Sequence, residues 1–169
     1  MASRRMLTAL LPALAALLAV TTACSSKSND GNTSGGNTNS NNNGGLPSCP
    51  TAATIKSELG LDVKEATVQN NGVVRVCQFS PAGSTGSAIV RFQGQDTAAK
   101  FATAKEIFKN SGQTPTDVTG LGDEAYSSSL SGGSITINTI VARKGSLEVL
   151  VTSQASLDQE KAFASKLLG

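Results

Sequence analysis

The sequence from Leu46 to Gly169 predicts an α+β fold, an antiparallel sheet of about six strands packed with three helices in the order α-βββ-α-βββ-α, sandwich-like in outline. Two clusters of alternating apolar and polar residues lie between three segments of helical period, each with its own start or stop signal. Asn71-Gly72 and Arg143-Lys144-Gly145-Ser146 fall between alternating segments and read as hairpin turns, the strongest local mark of antiparallel pairing.

The first helix is expected over Thr51 to Glu58. Pro50 and Thr51 open it, Ala52, Ile55 and Leu59 share one face, and Gly60 stops it. A strand near Glu65 to Gln69 turns at Asn71-Gly72 into Val73 to Phe79, and Ala88, Val90 and Phe92 alternate along a third strand, giving an antiparallel meander. The second helix starts at Asp96 or Thr97, directs Ala98, Phe101, Ala104 and Phe108 to one side, and ends at Asn110-Ser111-Gly112. Strands follow at Glu124 to Ser128, Ile135 to Ala142 and Leu147 to Thr152. The last helix begins with a capping box, Ser156 and Gln159, and presents Phe163, Ala164, Leu167 and Leu168 to the core.

Upstream of this single domain the chain changes character twice. Residues 1–23 have Arg4 and Arg5, an apolar stretch from Met6 to Val20 and small residues Thr21, Thr22 and Ala23, the layout of a secretory signal. The apolar stretch is shorter than the roughly 20 residues needed to span a bilayer. Residues 24–45 contain Cys24 and then almost nothing but Ser, Asn, Gly and Thr, a composition that cannot bury enough surface to offset its ordering entropy. A flexible tether of roughly 25 Å root-mean-square reach is expected from its length.

The junction Thr22-Ala23-Cys24 resembles the lipobox of a bacterial lipoprotein, which implies a lipid-modified Cys24 as the mature amino terminus and a protein held at the outer face of the cell membrane. Thr21 departs from the pattern, since a branched aliphatic is usual there and Val20 lies one residue further back. The alternative is an ordinary secretory signal cut near Ala23, which releases a soluble protein with a free Cys24 thiol. Removing the signal takes Arg4 and Arg5 from the 14 basic residues and leaves them equal in number to the 12 acidic ones. A neutral mature chain has no basic stripe for nucleic acid and no polybasic segment for lipid headgroups.

Three cysteines in an exported chain leave one odd. Cys49, before the first helix, and Cys77, in the second strand, are expected to form a disulfide outside the cell, leaving Cys24 to the lipid. A metal site at the pair would need more ligands, and the chain has no histidine; a redox pair would normally have the two thiols close in sequence. Neither a cofactor nor a metal is expected.

No residue set reads as an active site. Lys161, Ser165 and Lys166 point around a helix rather than together, and Asp123 and Glu124 are consecutive on an extended segment, where side chains face opposite ways. Gly120-Leu121-Gly122-Asp123 lacks the third glycine and the following helix of a phosphate loop, so its glycines are expected to serve a tight turn and Asp123 to bond to nearby backbone amides. The serine-rich stretch Ser127 to Ser134 reads as a mobile hairpin loop or a polar binding rim. As the edge of any ligand groove, it brings forward Asp123, Tyr126, Ser128 and Ser129 as candidates.

Taken together, Cys49 before a short helix, Cys77 two residues before Phe79, the Gly-Leu-Gly-Asp-Glu-Ala-Tyr segment at 120–126, the Lys144-Gly145 turn and the closing Ala-bearing helix resemble a group of small actinobacterial lipoproteins with a domain of unknown function. The resemblance covers most of Cys49 to Leu168 and implies an exported envelope protein with this disulfide and no assigned catalytic residue. The expectation is therefore a non-catalytic binding domain for an envelope protein, a wall polymer or a small ligand. The alternatives are a carrier of lipid or glycolipid, which needs an apolar cavity, and a hydrolase, which needs a nucleophile set.

Overall fold

A computed structural model describes residues 45–83 and 86–169. The expected signal, tether and lipidation at Cys24 lie outside the described residues. Among the described residues three helices, α1 (Ala52–Leu59), α2 (Ala98–Asn110) and α3 (Leu157–Leu168), accompany seven strands: β1 (Thr67–Asn71), β2 (Val74–Phe79), β3 (Ala88–Gln93), β4 (Thr116–Asp117), β5 (Glu124–Gly132), β6 (Ile135–Lys144) and β7 (Leu147–Ser153). The strands form one antiparallel sheet in the order β1-β2-β3-β7-β6-β5-β4. The expected α+β fold is present, with the two meanders fused at β3 and β7. The seventh strand is the two-residue β4, too short to carry a pattern of its own.

The helix ends follow from their caps. Thr51 accepts from the Thr54 amide and Gly60 closes α1 in the left-handed region, while Ser156 and Gln159 form the reciprocal capping box of α3. The hairpins differ from the expected turns by a residue or two. Asn71 pairs with Val74, Gly132 with Ile135 and Lys144 with Leu147, so the turn residues are Gly72-Val73, Gly133-Ser134 and Gly145-Ser146. Each first turn residue is a glycine at positive φ and each second is not, the requirement of a type II′ turn, and this draws the first turn one residue past Asn71-Gly72.

Alternation divides the sheet into two unlike faces. On the first, Cys77, Phe79, Val90, Phe92, Ile140, Val149 and Val151 meet Ile55 and Leu59 of α1 and Phe163 and Ala164 of α3 in one continuous buried core. Each fully buried side chain of this size contributes about 1.5 to 3 kcal/mol. The Cys49–Cys77 disulfide ties the segment before α1 to β2 on this face. Among the described helices only α2 lies on the second face.

Candidate functional site

The second face is built from alternate residues of the central strands: Ile89 and Arg91 on β3, Glu148 and Leu150 on β7, Thr139 and Val141 on β6, and Tyr126 and Ser128 on β5. Over them α2 presents Phe101 and Phe108, two turns apart and therefore on one side of the helix. Their rings flank Tyr126 with centroids 5.2 and 5.6 Å away. Phe101 is the one buried residue of α2, and Phe101, Tyr126 and Val141 form a small core separate from the main one. Burial pushes the Tyr126 phenol up to about 12, with the charge of Glu148 adding to the effect.

The aromatic rings prop α2 away from the sheet. Whereas α3 lies close along β6 and β7, the backbone of α2 makes no comparable approach to any strand. Open grooves run on both sides of it. One, of about 280 Å³, lies between Phe101, Ala102 and Lys105 on the helix and Asp117, Val118 and Glu124 beside it, with Lys105 paired to Asp117. The other, of about 350 Å³, is lined by Gln93 at the end of β3 and by Ala99, Lys100, Thr103, Ala104 and Ile107.

A polar cluster sits at the amino-terminal end of α2. Arg91 donates through Nη2 to Glu148 Oε1, and Glu148 is almost fully buried. Burial raises the carboxyl pKa of Glu148, the Arg91 charge and hydrogen bond oppose the rise, and the Asp96 charge adds to it. Asp96 is 3% exposed, and among the described residues neither of its carboxylate oxygens nor Arg91 Nε has a hydrogen-bond partner. Such groups cost about 1 to 3 kcal/mol each when nothing satisfies them. The chain is turned into this position by Gln95, a non-glycine residue at φ +57°, and held by the Asp96 amide donating to Ser146 O at 3.0 Å. Thr97 then caps α2 by accepting from the Lys100 amide at 3.2 Å.

The four residues proposed from the sequence as a ligand edge are not brought together. Asp123 is taken up in a structural contact: its carboxylate accepts from the Gly145 amide at 2.8 Å and from Arg143 Nη1 at 3.4 Å. Glu124 accepts from Nε of the same Arg143 at 3.1 Å, so the two adjacent carboxylates converge on one guanidinium although their positions alternate. Arg143 is long enough to reach both from the neighbouring strand. Tyr126 and Ser128 share the second face and are buried there. Ser129 points to the other face, where its hydroxyl donates to Asn138 Oδ1 at 2.6 Å.

The stretch Ser127 to Ser134 is strand for most of its length, and only Gly133-Ser134 turn. It continues β5 to Gly132, because each residue finds a partner on β6, down to Gly132 opposite Ile135. β6 and β7 pair from Lys144 and Leu147 to Asn138 and Ser153, so the end of the β5–β6 hairpin projects past β7 as a two-stranded arm. On the second face this arm carries Leu130 opposite Ile137, and Ile135, with exposures of 50%, 40% and 50%. No charged residue occurs from Ala125 to Ala142.

Sequence reasoning did not single out Arg91 or Glu148 and placed Asp96 only as a possible helix start. A single charged residue in each strand looks solvated until the β3–β7 register sets Arg91 diagonal to Glu148 on the face that carries α2. In chemical terms the cluster offers acceptors from Asp96 and a donor from Arg91, an arrangement for binding rather than for attack. Ser153 Oγ donates to Glu160 Oε1 at 2.6 Å, but both are closed into the core. Among the described residues no three His, Cys, Asp or Glu side chains are placed to hold a metal ion, and no helix is long and apolar enough to cross a membrane. Set against protein-family models, curated proteins and solved structures, the chain matches none.

Proposed function

We propose that this chain is an exported envelope lipoprotein of the group its 120–126 segment resembles, anchored through Cys24, with a non-catalytic domain that binds its ligand beside α2 on the second face of the sheet. One observation carries the reading: the first face is closed by two helices over a continuous core, whereas the second has a single propped helix with open grooves at its flanks. Clefts with apolar walls and a few converging polar groups are the usual form of a ligand site. The groove between Gln93 and Ala104 has that form, with Lys100 on its rim. The carrier alternative draws on the same groove, with an acyl chain as the ligand.

The test is native mass spectrometry of the protein purified from its own host, beside an Ala104→Trp variant whose indole fills the groove. A co-purifying mass that disappears in the variant supports the site, and an acyl mass selects the carrier. A bound mass indifferent to the substitution, or chemical turnover of an added envelope component, overturns it.

A further inference from the structure

We infer that the arm at the end of the β5–β6 hairpin is a membrane-contacting element, which lays Leu130, Ile135 and Ile137 against the hydrocarbon of the same bilayer that holds Cys24. This rests on the anchoring proposed above and goes beyond it, since an anchor alone leaves the domain free of the surface.

The arm has the character of an apolar tip. Three large aliphatic side chains stand on one face of two strands, each about half exposed, and no third strand covers them because β7 ends at Ser153 opposite Asn138. Exposed strand ends are normally protected by lysine, proline or an inward charge. This one has none, and the uncharged run from Ala125 to Ala142 spans the whole arm. A contiguous apolar patch of this kind marks a contact site. The absence of charge selects hydrocarbon over an acidic or basic partner.

The reach of the chain selects the anchoring bilayer. Leu46 enters the fold beside Gly94 and accepts from Arg75 Nη1 at 3.1 Å. Gly94 follows Gln93, which lies opposite Glu148, itself opposite Arg143 on β6. From that level to Ile135 is eight residues along β6, or about 27 Å at roughly 3.4 Å per residue. The tract from Ser25 to Gly45 has an expected root-mean-square span of roughly 25 Å. A linker gives the highest effective concentration when its span matches the distance to be bridged. Contacts too weak to hold a free protein on a membrane then suffice for a tethered one, and a second attachment adds to the lipid chain.

Because the arm is uncharged, the contact is indifferent to anionic lipid and to salt. The test couples the mature chain through the Cys24 thiol to a maleimide lipid in phosphatidylcholine vesicles, Cys49 and Cys77 being joined to each other. The chain has no tryptophan, so Ile137→Trp, or Asn71→Trp at the opposite end of the sheet, introduces one indole. With brominated acyl chains the indole at 137 is expected to be quenched about two- to threefold more than that at 71, equally in vesicles with and without phosphatidylglycerol. Equal quenching at the two positions, quenching that requires the anionic lipid, or a blue-shifted but unquenched indole at 137, which places the arm against a second protein copy, overturns the inference. Leu130→Trp repeats the measurement from the facing strand if Ile137→Trp does not fold. Chemical coupling keeps this result independent of lipidation in the cell, which the mass of the native amino terminus decides separately.

Discussion

Ser153 on β7 donates its hydroxyl to Glu160 on α3 at 2.6 Å and accepts from the Ala155 amide at 3.0 Å, locking the start of the last helix to the end of the last strand. Glu160 is wholly buried, and its other oxygen has no hydrogen-bond partner among the described residues. Burial pushes its carboxyl up to about 8, against the pull of the hydrogen bonds from Ser153. The folded chain thus keeps a proton that the unfolded chain has released. The stability linked to this group is fully present below the ordinary carboxyl pKa of 4.5 and declines as pH rises toward about 8. Glu160→Gln removes that decline, so at about pH 9 the variant is expected to exceed the parent by a few kcal/mol, with a smaller gap at about pH 5. Urea unfolding at both pH values measures it, and parallel slopes for the two proteins would refute the assignment.

Gly122 adopts φ +61°, and a β-carbon there would lie 2.4 Å from the Arg143 carbonyl oxygen. Gly120 is also at positive φ, +75°, but has open space around it. Gly122→Ala is expected to cost at least about 3 kcal/mol, combining backbone strain with the clash, and Gly120→Ala about 1 to 2 kcal/mol. The order of the two denaturation midpoints is the check.

The disulfide closes a sequence separation of 28 residues. Replacing both Cys49 and Cys77 by serine is expected to cost about 3 to 4 kcal/mol in the chain-entropy account. Titrating the parent with urea, oxidised and reduced, must give a difference of the same size.

The aromatic prop under α2 makes that helix separable from the sheet. Phe101→Ala, a loss of about 3 kcal/mol or more for a buried ring, is expected to accelerate amide exchange throughout α2 while the β3–β7 amides keep their protection. Uniform acceleration in both would show that α2 opens only with the whole fold.

Asp96 and Glu148 are coupled through their charges. Asp96→Asn is expected to lower the Glu148 titration midpoint, followed by the carboxyl carbon resonance, because one of the influences raising it is removed. A midpoint unchanged by the substitution would mean that burial and Arg91 set it without Asp96.

Where a signal was local, the sequence carried it. Thr51 with Gly60, and Ser156 with Gln159, specify helix ends through hydrogen bonds made within a few residues, and β3 shows its period directly. The stretch from Ser127 to Gly132 was misread because serine favours turns, and its strand character comes from the ladder with β6 rather than from its own residues. The polar cluster was hidden for a related reason. Arg91 and Glu148 are 57 positions apart, and nothing in either segment states that β3 and β7 are neighbours. Asp123 was correctly tied to backbone amides, but its partner, Gly145, belongs to a hairpin 22 residues away.

The middle of the sheet joins the third strand to the last, with Val90 opposite Val151 and Phe92 opposite Val149. In a chain that emerges amino-terminus first, Cys49 and Cys77 are both available before β7, so the disulfide can precede completion of the sheet. The edge of β3 stays bare until residues 147–153 emerge. During that interval a row of unpaired amides and carbonyls beside Val90 and Phe92 is open to wrong pairing.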